Sequence, residues 1–128
     1  MTIRVQNRTI NGITIFDAVF DDATLKAAAA ETWPAGAVLA QDTSDNTYVR
    51  YNPSGSNGTN IPSAVLTQPV TFDAAGNVPG RPAFQGRFRL EDLVDSADAA
   101  LTQAARLGLR DYAILTQSTR QITIQDNQ

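Results

Sequence analysis

The stretch that decides the fold runs from Ala35 to Leu93 and reads AGAVLAQDTSDNTYVRYNPSGSNGTNIPSAVLTQPVTFDAAGNVPGRPAFQGRFRLEDL. It contains three short segments that read as strands, at 35–40, 47–51 and 62–66. Between the first two lies the polar turn 42–46. The loop 52–58 is rich in Pro, Gly, Asn and Ser, which favour turns because proline fixes φ while glycine and asparagine tolerate positive φ. The stretch therefore predicts several short strands joined by turns.

The end of the stretch has the period of a half-buried strand. Phe84, Phe88 and Leu90 share one parity, whereas the polar residues between them share the other. Gly86 lies inside this strand, where glycine costs about 0.5–1 kcal/mol in conformational entropy. A bulge or a close backbone approach is therefore expected at Gly86.

The order of these segments resembles a known family. A Pro-Gly-like entry leads into a Val/Leu strand, an Asp-Thr-Ser turn follows, then a small-Val-Leu strand, and last Gly-x-Phe-Arg-x-Glu-Asp-Leu. The segments that carry this order are 34–39, 42–44, 64–66 and 86–93. The set is similar to the lambda-type phage head decoration proteins, and the resemblance covers roughly two thirds of the chain, from about Pro34 onward.

The resemblance implies both a fold and a role. The fold would be α+β and β-rich, a compact head-decoration-like domain with one or two short helices. The role would be that of a capsid decoration, or cement, protein: a homotrimer that binds the major capsid protein on the outer surface of an expanded icosahedral head. It would sit at three-fold and quasi-three-fold sites and stabilise the head against internal pressure, after synthesis in the host cytoplasm.

Composition removes several classes of function. The 128 residues contain no cysteine and no histidine, so disulfides, thiolate nucleophiles, Cys/His zinc sites and a Ser-His-Asp triad are excluded. The net charge is −3 and the basic residues are dispersed, which argues against binding of nucleic acid. Apolar runs fall far short of the roughly 20 residues that span a bilayer. We expect a soluble protein that is not an enzyme and uses no cofactor, metal, nucleic acid or membrane.

Two parts are predicted for the chain. Residues 1–33 would form an N-terminal arm or hairpin plus a short helix, and residues 34–128 a β-rich core with a C-terminal strand extension. The Asn-Gly pair within Ile10–Ile13 is typical of a hairpin turn. Alanines within 21–31 favour a helix that Pro34 stops.

Further elements are predicted toward the C-terminus. A helix is expected from about Ser96 to Leu107, capped by Asp95 or Ser96, with an apolar stripe at helical spacing. Strands are expected at 112–115 and 121–125, and an open loop at 73–82.

Three candidate sites favour a structural interpretation. Glu91 and Asp92 are adjacent, so on a strand they would point to opposite faces rather than converge on one ligand. The acidic turn 42–46 begins like a calcium loop, but lacks the spaced glycine and the closing glutamate. Trp33, at a helix-to-strand junction, is expected to be a packing anchor.

The terminal segments carry the main site hypothesis. The segments 2–6 and 121–125 are short, amphipathic strands, which need partners for their backbone groups and apolar faces. They would either pair within the monomer or, as the family's N-terminal arm implies, add to the edge of a capsid subunit's sheet. The expected capsid contacts are Ile3, Arg4, Val5 and Gln6, followed by Ile122 and Ile124.

Two other functions stay open. The Asn-, Ser- and Gly-rich loop 52–60 would suit a fibre-tip or glycan-binding surface module, provided that exposed aromatic side chains lie beside it. A small carboxylate hydrolase would need two carboxylates that converge in a pocket.

Overall fold

The fold is described for residues 14–118 of a computed structural model. This part contains ten strands, one α-helix and one 3₁₀ turn. The strands are β1 (Thr14–Phe20), β2 (Ala23–Ala27), β3 (Glu31–Trp33), β4 (Val38–Asp42), β5 (Thr47–Arg50), β6 (Pro62–Val65), β7 (Val70–Phe72), β8 (Gly76–Gly80), β9 (Ala83–Arg89) and β10 (Ile114–Gln117). The helix α1 spans Gln103–Arg110, and the 3₁₀ turn spans Leu90–Asp92. The predicted β-rich α+β fold with one or two short helices is confirmed.

Most strands form one sheet. Its order is β1-β9-β6-β4-β5-β2-β8, and β10 pairs with β9 in parallel. The strands β4 and β5 form an antiparallel hairpin through the turn at 42–46, in agreement with the sequence. The strands β3 and β7 make a separate two-stranded sheet.

The central strands β4 and β6 are covered on both faces. Successive side chains of a strand point to opposite faces, so Val38 and Ala40 enter one apolar cluster while Leu39 enters the other. The same alternation places Ala64 and Val65 of β6 in different clusters. This double burial explains why 35–40 is a continuous apolar run rather than an alternating one.

The predicted helix at 21–31 is wrong. Leu25 and Ala27 are buried, whereas Thr24 is exposed and Lys26 is half-buried, which is a period of two. The strand β2 pairs with β8 over five residue pairs. Helix propensity is a weak preference that such tertiary pairing overrides. The division of the chain at residue 33 stays a prediction.

The predicted open loop at 73–82 is also wrong, because β8 lies within it. Gly76, Pro79 and Gly80 are residues that strands normally avoid, so the sequence pattern gave no strand signal. Proline is tolerated on an edge strand, and β8 is the last strand in the order of the sheet.

The predicted helix at 96–107 begins and ends later than expected. Thr102 is the N-cap, since its hydroxyl accepts a hydrogen bond from the Ala105 amide at 3.2 Å. The Asp95 carboxylate caps a turn instead, accepting from the amides of Ala97 and Ala99 at 2.8 and 3.1 Å. The buried stripe of α1 is therefore Ala105 and Leu109. The following strand, expected at 112–115, is β10.

Gly86 confirms the expected close approach. Its φ is +142°, and a Cβ placed there would lie 2.9 Å from the Cα of Ala18. The ladder between β1 and β9 shifts register on either side of this contact. The approaching backbone belongs to β1 of the same chain.

Within residues 14–118, no helix is long and apolar enough to cross a bilayer. The Asn-Gly pair within Ile10–Ile13 and the strand expected at 121–125 lie outside the described residues.

Candidate interaction surfaces

The two ends of the described chain meet at one end of β9. Phe88 pairs with Thr14 of β1 on one side and with Thr116 of β10 on the other. The strand β1 begins there and β10 ends there, because β1 is antiparallel to β9 while β10 is parallel. Neighbouring strands lie about 4.8 Å apart, so the two ends are separated by about 10 Å. Whatever precedes Thr14 and follows Gln117 therefore joins the domain at one place.

The strand β1 is an edge of the sheet. Within residues 14–118 its only strand partner is β9, so its outer row of backbone groups faces no other strand there. Val19 and Phe20 are 49% and 39% exposed, unusually high for large apolar side chains. Register shifts along β1 add bulges, which twist an edge and limit unspecific pairing.

The predicted contact residues adjoin this end of the domain in sequence. Ile3, Arg4, Val5 and Gln6 precede β1, and Ile122 and Ile124 follow β10, but all six lie outside the described residues. They stay predictions. Sequence reasoning missed that β9 brings the start of β1 and the end of β10 together, because a parallel pairing between distant segments leaves no local pattern.

A second surface is an open groove of about 250 Å³ beside the loop 52–60. Its lining residues are Gln41, Thr43, Tyr48, Gly58, Ile61, Ser63, Phe84 and Tyr112. We call this surface the aromatic groove. The rings of Tyr48 and Phe84 pack edge to face with their centroids 5.4 Å apart. Tyr112 and Ile61 are each 47% exposed at its rim.

Two polar features mark the aromatic groove. Burial, and then the neighbouring hydroxyl of Tyr112, raise the pKa of Tyr48, so the phenol stays protonated at neutral pH. The Ser63 hydroxyl is shielded from solvent and has no hydrogen-bond partner within residues 14–118. An unpaired buried hydroxyl costs about 1–3 kcal/mol, which makes this position unusual.

The loop 52–60 is held firmly against β4. The amide and hydroxyl of Thr43 both donate to the carbonyl of Asn57, at 2.8 and 3.0 Å. Gly58 has φ +89°, and a Cβ there would lie 2.5 Å from the carbonyl oxygen of Gln41. The sequence predicted a loop here, but not that the loop would form one side of a groove.

The acidic turn 42–46 is an internally bonded β-turn, as expected. The Asp42 carboxylate accepts from the amide and hydroxyl of Ser44 at 3.0 and 2.7 Å. The Asp45 carboxylate accepts from the amide and hydroxyl of Thr47 at 3.2 and 2.7 Å. The Lys26 ammonium bridges both carboxylates, at 3.2 Å from Asp42 and 2.6 Å from Asp45.

These contacts change the pKa values of all three groups. The Lys26 and Thr47 bonds lower the pKa of Asp45 to about 2. The Ser44 bonds, and then Lys26, lower the pKa of Asp42. The bonds to Asp45 and Asp42 raise the pKa of Lys26. The cluster is therefore fully charged at neutral pH and ties β2 to the β4–β5 turn.

The other candidate sites occupy structural positions. Glu91 and Asp92 lie in the 3₁₀ turn that ends β9, and no cluster of acidic side chains suited to a metal occurs between residues 14 and 118. Trp33 is 1% exposed, and its ring packs on Phe72 at 4.6 Å. The indole N–H donates to the Glu31 carboxylate at 2.8 Å, so Trp33 is the expected packing anchor.

Comparison with known protein families gives a match. A family model described as bacteriophage lambda head decoration protein D matches residues 16–114, well over half of the chain. The match begins within β1, earlier than the resemblance from Pro34 onward, and ends at the first residue of β10. No curated protein matches the chain.

Proposed function

The chain belongs to the family of bacteriophage lambda head decoration protein D, and from this we propose that it cements the outer surface of an expanded icosahedral head. It is a phage head decoration protein, and its family is structural rather than enzymatic. The finer proposal is that it binds the major capsid protein at three-fold and quasi-three-fold sites. There it would stabilise the head against the pressure of packaged DNA.

The observation that carries this proposal is that the start of β1 and the end of β10 meet beside β9. Thr14 and Gln117 lie on either side of one end of that strand. A pair of amphipathic segments that extend from one place can engage a single capsid seam together. Strand addition would satisfy their backbone groups, with Ile3 and Val5 on one face and Arg4 and Gln6 on the other.

Assembly as a homotrimer would multiply these weak contacts. Linked binding sites raise apparent affinity by roughly 10²–10⁴ without any new contact, provided that all of them reach their targets together. A trimer at a three-fold position presents three copies of the same edge to symmetry-related capsid subunits. Selective binding to the expanded head would then stabilise that state by mass action.

Deletion of residues 1–8 tests the arm. We expect the truncated protein to keep its far-UV circular dichroism and its sedimentation coefficient, because residues 16–114 contain the family domain. It should no longer co-sediment with expanded, undecorated heads. The matched control is Leu107→Ser, which removes an exposed apolar side chain on α1 and should leave head binding intact.

Two results would count against the proposal. Undiminished head binding after the deletion would remove the arm from the interface. Failure of the full-length protein to bind any expanded head would remove the decoration role of these surfaces altogether.

A further inference from the structure

We propose that the aromatic groove binds a neutral hexose unit of a polysaccharide. This activity goes beyond attachment to the capsid and uses different residues from the chain ends. A head carries many copies of a decoration protein. Weak binding of one sugar unit by each copy would therefore add up to multivalent adhesion to surface glycans.

The aromatic side chains provide surfaces for a sugar ring. The apolar face of a pyranose stacks on aromatic rings, and amphipathic Tyr combines such a surface with a hydrogen-bonding hydroxyl. Tyr112 is 47% exposed at the rim, and Tyr48 and Phe84 form the packed wall beside it. Large apolar side chains exposed to this degree are few between residues 14 and 118, and two of them, Tyr112 and Ile61, belong to this groove.

The polar groups around the groove suit sugar hydroxyls. Gln41 supplies an amide, Thr43 supplies a hydroxyl, and the tyrosines supply two phenols. Every lining residue is uncharged. A neutral polyol therefore fits this lining better than an anion or a cation does.

The loop beside the groove is also held in place by hydrogen bonds without any ligand. The loop is fastened by the Thr43–Asn57 bonds, and the Asn52 amide donates to the Thr59 carbonyl at 2.9 Å. Gly58 permits the close contact of this loop with Gln41. A preformed site lowers the ordering cost that otherwise weakens binding of small ligands.

The backbone around the groove argues against a protein strand as its occupant. Gln41, Tyr48, Ser63 and Phe84 lie on β4, β5, β6 and β9, each of which is flanked by other strands. Strand addition needs an unpaired edge, whereas this groove offers side chains on a sheet face. Its volume of about 250 Å³ falls just below the 300–1,000 Å³ typical of drug-sized ligands, which suits one sugar ring.

The test is NMR titration of the intact protein with methyl α-D-mannopyranoside, methyl β-D-glucopyranoside and cellobiose. We expect the ring signals of Tyr48 and Tyr112 to shift in a saturable way with at least one of them, at millimolar concentrations. Tyr51 is the remaining tyrosine and lies in the buried core, so its ring signals should stay fixed. The protein thus contains its own control.

Substitutions separate stacking from a general surface effect. Tyr112→Ala should weaken saccharide binding at least tenfold, Tyr112→Phe should keep most of it because the ring remains, and Leu107→Ala should change nothing. Unchanged Tyr51 signals confirm that each variant is folded. Deletion of residues 1–8 should leave saccharide binding intact, which separates this site from the capsid-binding arm.

The proposal is overturned if none of the three sugars shifts Tyr48 or Tyr112, or if Tyr112→Ala binds as tightly as the native protein. If the sugars have no effect and Tyr112→Ala also abolishes head binding, the proposal is overturned in favour of a protein partner. The groove would then be a capsid contact.

Discussion

Gly86 joins a strained backbone conformation to a close contact with β1. A Gly86→Ala change would place a methyl group 2.9 Å from the Ala18 Cα at φ +142°. We expect it to reduce the free energy of unfolding by about 1–3 kcal/mol, the usual cost of a side chain in a glycine-only region, plus the cost of displacing β1. Urea unfolding followed by circular dichroism measures the loss.

Gly76 provides the matched control for this change. Its φ is +143°, but a Cβ there meets no heavy atom within 4 Å. Gly76→Ala should therefore show the strain alone and a smaller loss of stability. Equal losses in the two variants would show that the approach of Ala18 contributes nothing.

The Lys26 cluster makes part of the stability depend on pH. The pKa of Asp45 is about 2 in the folded protein and 3.8 without the fold's contacts. Its stabilising contribution is therefore fully present above pH 3.8 and is lost as pH falls toward 2. We expect the melting temperature of the native protein to fall across this window.

Lys26→Met tests the origin of that pH dependence. The ammonium is the largest cause of the low pKa of Asp45, while Ser44 is the largest cause for Asp42. The variant should melt at a lower temperature than the native protein at neutral pH, and the difference should shrink on acidification toward pH 2. A constant difference at every pH would exclude the charge interaction.

At the scale of elements, the start of α1 illustrates how two plausible caps compete. Thr102→Ala removes the hydroxyl that accepts from the Ala105 amide and should cost about 0.5–2 kcal/mol of stability. Ser96→Ala should cost almost nothing, because its side chain is exposed and caps no helix in this fold. Chemical unfolding of both variants measures the two losses of stability. A larger loss for Ser96→Ala than for Thr102→Ala would mean that the helix begins near residue 96.

The strand β2 shows why local propensity failed. Ala27 has the side chain of a good helix former, yet Leu25 and Ala27 are buried on one face of a strand that β8 pairs with. The β8 segment is itself poor in strand formers. Neither segment was predicted as a strand from its own residues. Each forms a strand because it pairs with the other.

At the scale of the whole molecule, the decoration role predicts a stabilised particle. Saturating protein should raise the temperature at which expanded, DNA-filled heads rupture, because a ligand that binds one state stabilises it in proportion to RT ln(1 + [L]/Kd). Dye accessibility of packaged DNA during heating measures the shift. The protein lacking residues 1–8 should give no shift, and an equal shift with that variant would contradict the arm's role.

The sequence alone determined the β-rich class, the β4–β5 hairpin with its acidic turn, the strand around Phe88 and the family resemblance, because turn chemistry and alternation are local signals. The tertiary structure decided what depends on distant partners. These are the pairing of β2 with β8, the meeting of the start of β1 and the end of β10 beside β9, and the groove that Tyr112 completes next to the loop 52–60. Hydrogen bonds and packing between segments far apart in the chain create those features, and no short stretch of residues encodes them.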